Sequence, residues 1–120
     1  MPLSGIRFVD LTRIVSGPFC TMLLADMGAE VIKIERPGKG DPLRAQGVIK
    51  GGLSWYYASF NRNKKSITLD LRSSEGKEIL IRLIGRSDVV VDNYRPGVMK
   101  KMGLDYDRLK KINPGVICIW

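Results

Sequence analysis

The groups able to do chemistry in this sequence sit directly after apolar, β-prone runs. Thr12–Ser16 follows one such run and Glu35-Arg36 closes a second. Leu71-Arg72 closes a third, and Asn93, Tyr94 and Arg95 follow a fourth. Hydroxyl, amide and guanidinium groups in these places suit a phosphorylated, adenine-bearing ligand, because a guanidinium stacks on a purine and forks onto phosphate oxygens. Glu35 stands about 20 residues past the first turn, where a carboxylate could take a ribose hydroxyl. The glycines of a dinucleotide site are missing, however. Gly17 stands alone in TRIVSGPFC, and neither G-x-G-x-x-G nor G-x-x-x-x-G-K-[ST] occurs. Cys20 lies in the first turn of a predicted helix, where a thiolate would be stabilised. The chain has no histidine, so it offers no Ser–His or Cys–His pair and no His-based metal site. Cys20 reads as a small core residue, no metal is expected, and binding is favoured over acid–base chemistry.

The elements that must position these groups follow from periodicity. Ile6–Leu11 reads as a strand and Thr12–Gly17 as a loop. Pro18 suits the first position of a helix, since its missing N–H costs nothing there. Phe19, Leu23, Leu24 and Met27 recur at helical spacing and predict the buried face. Gly28 ends the helix, and Val31, Ile32 and Ile34 form a returning strand. The sum is a parallel βαβ unit, whose ligands bind outside the carboxyl ends of its strands. Pro37–Tyr57, with five glycines and two prolines, reads as a long loop. Trp55, Tyr56, Tyr57 and Phe60 read as a packing cluster. Ser66–Leu71 alternates as a strand, and Ser73 or Ser74 caps a helix with Ile79, Leu80, Leu83 and Ile84 inside. Val89-Val90-Val91 is a strand buried on both faces. Short helices over about 98–102 and 106–112 lead to a last strand, 116–120. Such alternation predicts an α/β fold, Rossmann-like, with a mainly parallel sheet flanked by helices.

Composition bounds the rest. The 120 residues make one domain, and 20 Lys+Arg against 12 Asp+Glu give a net charge of +8. That balance admits an acidic partner such as nucleic acid, an anionic surface or a phosphorylated small molecule. The cations are scattered apart from Arg62, Lys64 and Lys65. No groove-reading motif accompanies them, so a basic nucleic-acid-binding module ranks low. No run approaches a membrane span, no secretory signal is seen, and two distant cysteines make no disulfide framework. A cytoplasmic or other reducing compartment is the expectation, without nucleic acid or membrane as partners. The chain stops inside an apolar run at Trp120, the ending expected of a truncated segment.

Three blocks also resemble a known family. DLTRIVSGPFCTMLLADMGAEVIKIERPGKGDPLR, NRNKKSITLDLRSSEGKEIL and DVVVDNYRPGVMKKMGL, in that order, are similar to the N-terminal portion of the class III CoA-transferases. That group includes formyl-CoA transferase, carnitine CoA-transferases and α-methylacyl-CoA racemase. The resemblance implies that residues 1–120 form a CoA-binding Rossmann-like segment of a protein whose two chains interlock as a homodimer. It implies that Ile14, Val15 and Ser16 line the CoA site, that Arg36 packs on the adenine, and that Leu69 and Arg72 contact the nucleotide end. Asn93 and Tyr94 would flank the pantetheine, and Lys101 would reach phosphate in place of an arginine. Val15 departs from the glutamine of formyl-CoA transferase. The reaction implied moves coenzyme A from an acyl-CoA to a small carboxylic acid, with CoA as substrate and no tightly bound cofactor. Its nucleophile is an aspartate placed by the resemblance beyond Trp120, so no catalytic residue is expected in this chain. The racemase is the alternative within the family, and the long excursion after Arg36 resembles the transferase branch.

Overall fold

A computed structural model describes residues 1–120. Its centre is the strand β1 (Arg7–Asp10), with β2 (Glu30–Glu35) on one side and β6 (Val89–Val91) on the other. Further strands, β5 (Lys65–Thr68) beside β2 and β7 (Ile117–Ile119) beside β6, complete the order β5-β2-β1-β6-β7. Every ladder is parallel, so all five carboxyl ends share one edge of the sheet. Each face is covered, as parallel sheets require. On one side α1 (Ser16–Asp26) packs Ala25 with Phe8, Val31, Val89 and Val91. On the other, α3 (Ser74–Ile84) and α5 (Tyr106–Ile112) bring Leu80, Ile84 and Leu109 onto Val9, Leu11, Ile34 and Val90. The short α4 (Val98–Lys101) lies between β6 and α5 in the chain.

Local signals explain most boundaries. Gly28 takes φ +97° where α1 gives way to β2, a conformation that favours glycine. Ser73 caps α3 by accepting the Gly76 N–H at 3.0 Å, and Glu75 occupies the first turn. Asp105 caps α5 by accepting the Arg108 N–H at 3.1 Å.

Several expectations need correction. Helix α1 begins at Ser16, so Pro18 is its third residue, still within the turn whose N–H groups lack helical partners. The buried face of α1 is Pro18, Thr21, Met22 and Ala25, while Phe19, Leu23 and Met27 are each at least 40 % exposed. The reason is the polar floor beneath the helix, where Thr21 Oγ1 donates to the buried Asp10 carboxylate at 2.6 Å. Ile79 is likewise exposed on α3. The stretch after Arg36 is not a plain loop. It holds a 3-10 turn (Pro42–Ala45), a small antiparallel pair, β3 (Ile49–Lys50) with β4 (Leu53–Ser54), and α2 (Trp55–Asn61). Ser54 caps α2 by accepting the Tyr57 N–H, and α2 packs beside α1 with Phe19 edge-on to Phe60.

Candidate functional site

Because the strands are parallel, four loops meet at one edge, around a cleft of about 280 Å³. Thr12 and Arg13 enter from β1, Glu35, Arg36, Gly40 and Asp41 from β2, Leu69–Arg72 from β5, and Tyr94 from β6. Val98 and Met102 close it from the region of α4. Of the residues anticipated from sequence, Arg36, Leu69, Arg72 and Tyr94 are brought together here. Ile14 and Val15 stand on the adjoining loop and Ser16 opens α1, and none of the three lines this cleft. Lys101 is exposed on α4, also outside the lining. Asn93 holds the first loop, since its Oδ1 accepts the Arg13 N–H and its Nδ2 donates to the Arg13 carbonyl, both at 2.9 Å. A second cleft of about 410 Å³ adjoins, lined among others by Asp92, Arg95, Lys100, Tyr106 and Trp120, and Tyr94 borders both.

Charge at the cleft follows from which groups are already paired. The Arg13 guanidinium lies 4.8 Å from the Tyr94 ring centroid, and Arg36 Nε donates to the Gly40 carbonyl at 3.1 Å. Neither of these guanidiniums, nor that of Arg72, forms an ion pair. The two buried carboxylates at the rim are committed elsewhere. Glu35 accepts from Arg44 Nε (2.8 Å) and Nη2 (2.7 Å), Tyr57 Oη (2.9 Å), Ser66 Oγ (2.6 Å) and the Asp41 N–H (2.8 Å). Burial raises its pKa, but these donors outweigh burial and hold the carboxyl well below its usual range. A carboxylate so engaged has no capacity left for a ribose hydroxyl. Tyr57 responds oppositely, its phenol pushed up by burial and by the Glu35 charge. Asp41 pairs with Lys33 Nζ at 2.9 Å, with both side chains 1 % exposed. Asp70 is the one lining carboxylate without a cationic partner. Against it stand the three guanidiniums of Arg13, Arg36 and Arg72, so the cleft still carries an excess of positive charge, which suits an anionic ligand.

Beneath α1 lies a further buried pair. Lys64 Nζ donates to Asp10 Oδ2 (3.0 Å), the Pro18 carbonyl (2.9 Å) and Asn61 Oδ1 (2.9 Å), and burial lowers its pKa against the pull of Asp10. Lys65 pairs with Glu30, and Arg62 with Asp26. The cationic cluster that motivated a nucleic-acid module is thus spent on internal partners. No helix is long and apolar enough to cross a membrane.

Sequence reasoning passed over Arg13, although the rule that selected Arg36, a cation just past a strand end, applies equally to it. It also passed over Lys33 and Asp41, since nothing local marks a lysine inside a strand as buried.

The sequence profile of CoA-transferase family III matches residues 3–120. The chain belongs to this family. Class III relatives include the human succinyl-CoA:glutarate CoA-transferase, 49 % identical over 97 % of this chain. The formyl-CoA:oxalate CoA-transferase of Afipia carboxidovorans is 48 % identical over 96 % of it. The chain spans 27 % of the length of each. Among solved structures, Rv3272 from M. tuberculosis superposes with a TM-score of 0.91 at 42 % identity, covering 98 % of this chain and 33 % of that one. The family III assignment agrees with the parallel α/β sheet described above.

Proposed function

We propose that residues 1–120 form the CoA-binding cradle of a CoA-transferase, which moves coenzyme A from an acyl-CoA donor to a carboxylic acid acceptor. The observation that carries this reading is the convergence of three guanidiniums without carboxylate partners, Arg13, Arg36 and Arg72, on one cleft of a family III fold. Arg36 stacks on the adenine, Leu69 and Arg72 meet the nucleotide end, and Lys101 reaches a phosphate. Asn93 and Tyr94 flank the pantetheine, with Ile14, Val15 and Ser16 along the first loop. The names of the relatives support transferase over racemase.

The chemistry needs a carboxylate that attacks the thioester carbonyl and expels CoA as a thiolate. We assign that step to no residue of this chain. Asp10 and Asp41, the fully buried aspartates, are held by Lys64 and Lys33 and by neighbouring hydrogen-bond donors, which removes them as nucleophiles. The chain binds CoA without turning it over. The complete protein acts as a homodimer, for which the exposed Phe19, Leu23, Trp55 and Tyr56 provide an apolar surface. A reducing compartment such as the cytoplasm accords with the free thiols of Cys20 and Cys118.

Calorimetric titration of the chain with CoA tests the reading. Arg36→Ala and Arg72→Ala are each expected to weaken binding about tenfold, or about 1.4 kcal/mol. Absence of binding by a folded chain, or affinity unmoved by both substitutions, would overturn the assignment.

A further inference from the structure

Ile14 adopts φ +70°. A β-branched residue in the left-handed region is an outlier, and such a conformation persists only where its surroundings impose it. Core packing does not impose this one, because Ile14 is 38 % exposed. Its N–H provides the explanation. It donates to Asp41 at 3.1 Å (Oδ1) and 3.3 Å (Oδ2), across 27 residues of sequence. Asp41 is itself immobilised. Oδ1 also accepts the Leu43 N–H at 2.9 Å, and Oδ2 meets Lys33 Nζ at 2.9 Å. The same Lys33 ammonium donates to the Thr12 carbonyl at 2.9 Å, so the Lys33–Asp41 pair grips the first loop on both sides of Arg13. From the opposite flank Asn93 grips the Arg13 peptide.

We propose that Asp41 is a positioning residue, whose carboxylate holds the Ile14 peptide left-handed and thereby fixes the first loop in its binding shape before CoA arrives. This rests on the CoA reading above. Strain at an exposed loop beside a cleft, maintained by a buried ion pair from two other elements, is preorganisation: the cost of ordering the loop is met in folding and not in binding. Arg13, next to Ile14 and over Tyr94, is the group whose placement depends on it most directly.

The test separates the acceptor from the charge. Lys33→Met is introduced throughout, so that no ammonium is left buried without its counter-ion. In that background Asp41→Asn retains an oxygen for the Ile14 N–H, and Asp41→Ala removes it. Two quantities are read on the 120-residue chain, namely hydrogen exchange at the Ile14 amide and the Kd for CoA. Relative to the Asn variant, the Ala variant should show exchange at Ile14 at least tenfold faster and CoA binding at least tenfold weaker, with unchanged far-UV circular dichroism. Adding Ile14→Gly to both should shrink the gap in Kd below threefold, because glycine adopts positive φ without being held. A purely structural Asp41 would lower the melting temperature equally with and without Ile14→Gly. Equal exchange in the two variants, or a Kd gap that survives Ile14→Gly, overturns the proposal. Failure of every folded chain to bind CoA overturns the CoA reading instead, and the exchange comparison then decides the role of Asp41 alone.

Discussion

Glu35 shows how a residue's environment redirects its chemistry. At the end of β2 it stands where a ribose-binding carboxylate would stand, yet it is 5 % exposed and surrounded by five donor groups. Its work is structural. It fastens Arg44, Tyr57 and Ser66, from three separate segments, to the edge of the sheet. The Arg44 guanidinium also lies 3.6 Å over the Tyr57 ring, and its own pKa is raised mainly by Glu35. The folded carboxyl lies below its unfolded value of 4.5. Its stabilisation is therefore complete above that value and is lost as pH falls toward the folded pKa. Urea unfolding at a series of pH values should show stability declining from about pH 5 downward, with a smaller decline in Glu35→Gln. At neutral pH that substitution should cost about 2–4 kcal/mol, since Arg44 loses a charged partner. A flat profile in the unsubstituted chain would remove Glu35 from this role.

At the scale of elements, α1 is held against the first loop by a close approach. A Cβ on Gly17 would fall 2.4 Å from Thr12 Cβ, well inside contact distance. Gly17→Ala should push the start of α1 off the loop and cost about 1–3 kcal/mol of overpacking, measurable as a lowered urea midpoint at unchanged slope. The same helix shows what the sequence does and does not disclose. Its length and its Gly28 ending are legible from spacing and turn chemistry. Which face it buries is not, because periodicity reveals that an apolar stripe exists and not what covers it. Phe19, Leu23 and Met27 make the stripe, whereas the polar Thr21 goes inward to meet Asp10. Strands β1, β2 and β6 are legible as short runs rich in apolar, β-branched residues. Helices α3 and α5 are legible from their ends, a Ser or Asp cap at the start and Gly85 or Asn113-Pro114 at the close. Helix α2 and the β3–β4 pair are hidden among glycines, and α2 is aromatic without a clear apolar period. At the candidate site, the position of Arg36, Arg72 and Tyr94 at strand ends is readable once the sheet is taken as parallel. The buried pairs Lys33–Asp41 and Lys64–Asp10 are not, since their partners lie 8 and 54 residues apart and nothing local distinguishes them from surface charges.

At the scale of the whole molecule, two helices carry apolar residues that this chain covers only in part. Phe19 and Leu23 on α1 and Trp55 and Tyr56 on α2 are 40–56 % exposed, and α1 and α2 are packed neighbours. Exposed apolar surface of this kind drives association. Sedimentation velocity should find the chain self-associating as its concentration rises. Phe19→Gln with Trp55→Gln should shift it toward monomer while leaving circular dichroism unchanged. A monomer at every concentration would show that this face is tolerated by water.

The position of β1 at the middle of the sheet has a kinetic consequence. Its neighbours come from distant parts of the chain: the Arg7 N–H donates to Asp88, 81 residues later, at 2.8 Å. The central strand is therefore made before the other four strands of its sheet but gains its second flank only when β6 has been made. Until then the β1–α1–β2 unit must wait with one side of β1 unpaired. Contacts across such long sequence separations require large loops to close and slow the folding of a domain. Acquisition of native structure in this chain is thus governed by how late its middle can be completed, and the vulnerable interval is the synthesis of the residues between β2 and β6.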